Sequence, residues 1–200
     1  MRDDETFHHR DRCAVSGIGA TDFTRNSGRS DLTLATQASL AAIADAGLTP
    51  RDIDGIVRCD MDHVRPNDLV DALGITQLTY FGEAGPGGVA PCVQVAQAVA
   101  AIISGQATNV LVFRSLNGRS GRRYGLSSVS KNRVGGGGTY DEYFSPYGLL
   151  TPGQIFGLMA QRHMLEYGTT EKDLGAIALA CRARANANPA AQMHDRSLMM

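Results

Sequence analysis

The sequence predicts an α/β protein in which a mostly parallel, mixed sheet is covered by helices. Two observations carry this. Strand-like and helix-like stretches alternate from Cys13 to Phe113, ending in a strand. Right-handed crossovers turn such an order into a covered, mostly parallel sheet. The second observation is the stretch Phe81–Arg114, around which the chain is organised. It reads as a glycine-rich turn (Gly82 to Gly88), a helix from about Val89 to Ser104, a stop at Gly105 and a strand at Asn109–Phe113.

That helix is the most telling element. From Ala90 to Ile103 its only polar residues are Gln94 and Gln97, which marks a core helix. Pro91 is tolerated in the first turn, where backbone donors have no helical partner. Gly105 suits the left-handed C′ position. The strand that follows is apolar on both faces and reads as buried on both.

The other elements follow in chain order. Met1–Arg12 is charged and reads as a flexible terminus, with His8 and His9 solvated. Cys13–Gly19 reads as a first strand running into a glycine turn. Its Gly17-Ile18-Gly19 lacks the third glycine and the following helix of a dinucleotide-binding fingerprint. Ser30 caps a helix to Ala46 that carries Leu34, Ala38, Ala41 and Ala42 and stops at Gly47. Gly55–Cys59 is a second strand, Pro66–Leu73 a short helix and Thr76–Phe81 a third strand. Thr151 and Pro152 open a helix to Tyr167, closed by Gly168. Thr170 caps another that runs to about Ala185. His163, alone on the first of these, reads as a packed or surface residue.

Composition narrows the function classes. The net charge of −1 gives no global attraction to nucleic acid. Cys13, Cys59, Cys92 and Cys181 form no CxxC pair or Cys/His cluster, so a zinc site is not expected. No apolar run has the length of a membrane span, and the parsimonious reading is a reduced cytoplasmic protein. Ser115–Leu150 carries Arg119, Arg122, Arg123, Lys131, Arg133 and four glycines, Gly135–Gly138. Thr139-Tyr140 follows instead of Lys-Ser/Thr, so this is no Walker loop. Two readings stay open for it: a mobile cover over a ligand site, with Arg and Lys meeting the ligand's phosphates, or a solvated surface loop or subunit contact. The aromatic run Tyr140–Gly148 either lines an acyl pocket, with Tyr147 as a contact, or packs the loop down.

Several motifs resemble one family. They are Val15-x-Gly17-x-Gly19-x-Thr21-x-Phe23, Gly47-Leu48-x-Pro50-x-Asp52-Ile53-Asp54-Gly55, Pro146-Tyr147-Gly148, Arg162-His163-Met164, Glu166-Tyr167-Gly168 and Asn188-Pro189-Ala190. Together with Phe81–Arg114 they resemble the thiolase superfamily, in its sterol-carrier-protein thiolase and lipid-transfer aldolase branch. The resemblance runs from Cys13 to about Ala191 and covers half of the family's usual length. It implies a thiolase-like N-terminal half over 13–114, with spatial strand order 3-2-1-4-5. A loop and helical excursion over 115–200 follows, and the chain ends before the second half.

The resemblance also implies function. Aligning the helix-ending Gly105 puts the family's nucleophile position at about Gly88, so the cysteine is missing there. Members of the aldolase type cleave carbon–carbon bonds of acyl-coenzyme A thioesters by a retro-aldol step, as in steroid side-chain breakdown. They need no covalently bound cofactor, and the coenzyme A thioester is the substrate. They often pair with an OB-fold acyl-binding protein; self-association is the other assembly the chain allows. Gly85, Gly87 and Gly88 are then the expected substrate-contacting turn. Two alternatives stay open: an acyltransferase using Cys92, which otherwise reads as an inert core cysteine, and a non-catalytic scaffold.

Overall fold

A computed structural model describes residues 11–85, 87–121, 145–149 and 151–199, without the side chains of Gly87 and Ser145. Residues 1–10, the tetraglycine, Arg122, Arg123, Lys131, Arg133 and Tyr140–Phe144 lie outside the described residues. The chain divides into two compact units, Met1–Arg122 and Arg123–Met200.

The first unit is a three-layer α/β structure. Helix α1 (Asp31–Asp45) starts where the Ser30 hydroxyl accepts the Thr33 N–H, and Gly47 beyond its end takes φ +70°. Strand β1 (Gly55–Cys59), helix α2 (Pro66–Leu73), strand β2 (Tyr80–Ala84), helix α3 (Ala90–Ile103) and strand β3 (Val110–Phe113) follow. The three strands form a sheet of order β2-β1-β3, and both pairings are parallel. Ile56, Leu111 and Phe113 pack with Ala35 and Ile43 of α1 and Leu69 and Leu73 of α2 on one face. Helix α3 covers the other face, where Gly82 meets the Gln97 side chain.

One residue aligns the amino ends of all three strands. The Asp54 carboxylate accepts the N–H groups of Thr108 (2.8 Å) and Asn109 (2.8 Å), just before β3. Its carbonyl accepts the N–H groups of Thr79 (2.8 Å) and Tyr80 (3.1 Å), at the start of β2.

Four expectations are corrected. Cys13–Gly19 is not in the sheet. It runs extended along α1, where Gly17 and Gly19 lie so close that a Cβ would strike the backbone of Ala42 and Ala38. Asp45 holds the Ile18 N–H at 2.9 Å, and Val15 and Ile18 are 77% and 76% exposed. A cleft of about 540 Å³ lies between this segment and β3. The sheet order changes with it: β1 pairs directly with β3, with no strand between them. The third strand is Tyr80–Ala84, not Thr76–Phe81, because pairing matches Gly55 to Tyr80 and Cys59 to Ala84. Finally, β3 is buried on one face only. Leu111 and Phe113 are buried, while Val112 is exposed.

The second unit contains α4 (Pro152–Tyr167) and α5 (Glu171–Asn186). Both begin with a capping box, Thr151 with Gln154 and Thr170 with Asp173, which satisfies two orphan donors at each end. Gly168 closes α4 at φ +69°. His163 packs its ring 4.8 Å from that of Tyr167 and its Nδ1 lies 3.0 Å from the Thr169 hydroxyl, the packed surface role expected of it.

Replacing Asp54 with alanine removes two charge-assisted bonds to backbone donors. The expected cost is about 3 kcal/mol, since bonds to charged groups contribute about 1.5–3 kcal/mol each. Asp54→Asn, which keeps one acceptor, should lose less. Urea unfolding followed by circular dichroism measures both.

Candidate active site

In parallel α/β sheets, ligands bind beyond the carboxyl ends of the strands, where neighbouring connections leave on opposite faces. Here β1 runs on to α2 on one face, and β2 runs on to α3 on the other. The crevice between the ends of β1 and β2 is therefore the place to look. Its walls are Cys59-Asp60-Met61-Asp62 and Glu83-Ala84-Gly85, followed by the 3₁₀ turn Gly87–Val89 that leads into α3.

Helix α3 is pinned across this end by its two polar residues. Buried Gln94 donates to the Phe113 carbonyl at 3.0 Å, and Gln97 donates to the Glu83 carbonyl at 3.1 Å. The head of the helix carries no side-chain cap: Val89 holds the N-cap position and Pro91 the first turn. The 3₁₀ turn Gly87–Val89 runs directly into it and Pro91 offers no N–H, while the head carries the positive end of the helix dipole.

Arg58 organises the turn after β1. Its Nε donates to Glu83 at 2.8 Å, and its Nη1 donates to the carbonyls of Asp62 (2.9 Å) and Val64 (3.0 Å). Asp62 is wholly buried. One oxygen accepts the Ser115 N–H at 3.1 Å, and the other lies 3.7 Å from Arg114 Nε. Burial raises its pKa, against the pull of the Ser115 N–H, Arg114 and Arg58. Burial also raises the pKa of Cys59, whose side chain has no exposed surface. The Cys59 thiol donates to Asp60 Oδ1 at 3.4 Å. The Asp60 carboxylate lies over Gly85, where any Cβ would overlap it.

The predicted site residues fall as follows. Gly85, Gly87 and Gly88 stand together on the path from β2 into α3. Gly85 makes room for Asp60. Gly88 faces open space, so no steric demand requires a glycine there. Cys92 is exposed, which corrects its reading as a core cysteine. The reason is that α3 has a sheet on one side only, and Val93 and Val95 are exposed with it. Tyr147 belongs to the second unit and is 80% exposed. Among the described residues, no group of three His, Cys, Asp or Glu side chains could hold a metal ion. No described helix is long and apolar enough to cross a membrane.

Sequence reasoning missed Arg58, Cys59, Asp60, Asp62 and Arg114. The available signal was position alone: each sits at or just past the carboxyl end of a strand that the sequence does predict.

Comparison with known proteins places this geometry in a family. No protein-family model matches the chain. It is 42% identical to a steroid side-chain-cleaving aldolase of Thermomonospora curvata, over 94% of the chain and 48% of that protein. It is 40% identical to a 17-hydroxy-3-oxo-4-pregnene-20-carboxyl-CoA lyase of Mycobacterium tuberculosis, over 94% of the chain and 49% of that protein. Its fold superposes on the solved Ltp2–ChsH2(DUF35) aldolase with a TM-score of 0.80 and 40% identity, covering 93% of the chain and 46% of its counterpart. Over this length the chain resembles the aldolase-type branch of the thiolase superfamily. It spans about half the length of the relatives it matches.

The buried carboxylate gives the site a pH signature. Unfolded, Asp62 titrates near the ordinary 3.8; folded, it titrates higher. Its contribution to stability should therefore fall as pH rises from 3.8 through the raised native value, and level off above it. Asp62→Asn should flatten that part of the stability profile. Unfolding free energies of both proteins across the acid range test this.

Proposed function

We propose that this chain forms the helix-head side of an enzyme that cleaves hydroxyacyl-coenzyme A thioesters of steroid side chains by a retro-aldol step. It works in a complex with an OB-fold acyl-binding partner. The observation that carries the proposal is the identity of 42% and 40%, across 94% of the chain, to two enzymes named for steroid side-chain cleavage and for lysis of such a thioester. The partner is supported by a solved relative whose name joins Ltp2 to ChsH2(DUF35).

The chemistry suits what stands at the crevice. In a 17-hydroxy-20-carboxyl-CoA steroid, the C17 hydroxyl is β to the thioester carbonyl. A base takes the hydroxyl proton, the C17 carbonyl forms and the C17–C20 bond breaks. Its electron pair passes to the thioester as an enolate, which is protonated at C20. The products are a 17-ketosteroid and propanoyl-CoA. The enolate oxygen needs positive charge or donors aimed at it, and the head of α3, which has no side-chain cap, supplies the positive end of a helix dipole. No acyl-enzyme forms, so glycine at position 88 is compatible with the reaction.

A second reading is acyl transfer through Cys92, favoured by the exposure of its thiol in the first turn of α3. The two readings separate cleanly. With the enzyme purified in its native complex, Cys92→Ser should leave retro-aldol turnover of the 17-hydroxy thioester within about twofold of wild type. A nucleophilic role predicts a loss of several orders of magnitude. Release of the 17-ketosteroid, followed by chromatography, is the readout.

A further inference from the structure

We propose that the cleft between Cys13–Gly19 and β3 is a slot for one β-strand, supplied by the polypeptide that makes up the other half of the longer relatives. This holds whatever reaction the assembled protein performs. The two walls of the slot are extended backbone running the same way. The head of α1 lies past the end of β3, where the Ser115 hydroxyl donates to the Asp31 carbonyl at 2.7 Å and the Asn117 N–H donates to the Asp31 carboxylate at 2.6 Å. Helix α1 therefore runs back along β3. Gly17 sits against Ala42 and Ala46, and Gly19 against Ala38 and Ala42, so the segment runs against α1 and hence with β3. Ala38 and Ala42 of α1 line one face of the slot, and Val95, Val99 and Ile102 of α3 line the other.

The backbone decides what fits. Gly55 stands opposite Val110 in the parallel pairing, and its N–H goes to the Asn109 carbonyl at 3.2 Å. Alternation along the ladder turns the N–H and C=O groups of Leu111 to β1 and those of Val110 and Val112 into the slot. Across from them, Cys13–Gly19 makes no backbone–backbone hydrogen bond among the described residues, and its Ile18 N–H is held by Asp45. A small apolar ligand would leave both rows of polar groups unpaired in an apolar space, at a cost for each group. An inserted strand satisfies both rows at once. Such a strand must enter with both edges free. A second copy of this chain offers none among its described strands: β1 is paired on both edges, and β2 and β3 are each paired on one. The longer relatives do have polypeptide to spare. This chain spans 48% and 49% of the two enzymes to which it is 42% and 40% identical, and the half without a counterpart here is the source of the strand. Helices cover both faces of the slot, and Arg114 is the one charged residue among the described residues lining it, so the strand is apolar on both sides. Ser39 also lines the slot, and its buried hydroxyl has no hydrogen-bond partner among the described residues; it can serve one polar group on the incoming strand.

The test coexpresses this chain with the portion of the Thermomonospora curvata aldolase that it does not match, and follows residue-resolved amide hydrogen exchange in the purified complex. The Val110 and Val112 amides should exchange about as slowly as the Leu111 amide, which faces β1. Without an inserted strand they should exchange about 100-fold faster or more, because exchange follows local opening. Val112→Pro removes only a slot-facing donor, at a place where an edge strand tolerates proline. The variant should keep the circular dichroism of the chain and lose the copurifying partner. If it does not fold, exchange in the wild-type complex decides alone. Fast exchange at Val110 and Val112 in that complex overturns the proposal, as does failure of the two wild-type pieces to copurify. Undiminished copurification of a folded Val112→Pro variant overturns it too. So does slow exchange at both positions in this chain expressed by itself as a dimer, which would make a second copy the occupant.

Discussion

The alignment of three strand starts by Asp54 is the constraint on which the rest depends. Its carboxylate holds the backbone just before β3, and its carbonyl holds the start of β2. Parallel strands have no hairpin turn to set their register, so register must come from contacts of this kind and from side-chain pattern. With the amino ends level, the carboxyl ends are level too. Cys59 lies opposite Ala84 and Arg58 opposite Phe113. Asp60 can then lean over Gly85, and the Ser115 N–H can reach Asp62. A slip of one residue would turn every side chain to the opposite face and scatter these groups.

Elements fixed by local chemistry were legible in the sequence. The spans of β1 and α2 coincide with the expected ones, and the stops at Gly47, Gly105 and Gly168 take the positive φ that their positions suggest. Elements fixed by pairing were not. Gly82-Glu83-Ala84 looks like a turn because glycine and an acid weaken a strand pattern, yet β1 pairs with it along its length. Cys13–Gly19 looks like a strand because it is apolar, yet its glycines draw it against α1. The glycines of the site were found because glycine is conspicuous. Asp60 and Asp62 were not, because a surface acid and a buried one look alike until the strand ends are assembled.

The carboxyl end of the sheet shows environment dividing labour among like groups. Burial pushes the Asp62 pKa up, while donors and two arginines pull the other way, and the result is a fixed link between the ends of β1 and β3. Glu83 spends its charge on Arg58, which in turn orders the turn through Asp62 and Val64. Neighbouring charges and hydrogen bonds, not residue type, set what each carboxylate does.

The outward side of α3 leaves a packing demand unmet. A helix with two polar residues in fourteen belongs between two layers, but here Val93 and Val95 stand exposed, as does Val89 at its N-cap. Among the described residues, β3 likewise has a strand neighbour on one side only, and such an edge favours pairing with another strand. The free edge of β3 lies on the side away from β1, and so away from the crevice between β1 and β2. The apolar composition of α3 is thus a packing demand that the described residues meet on one side only, which is the physical reason to look for a further layer over it.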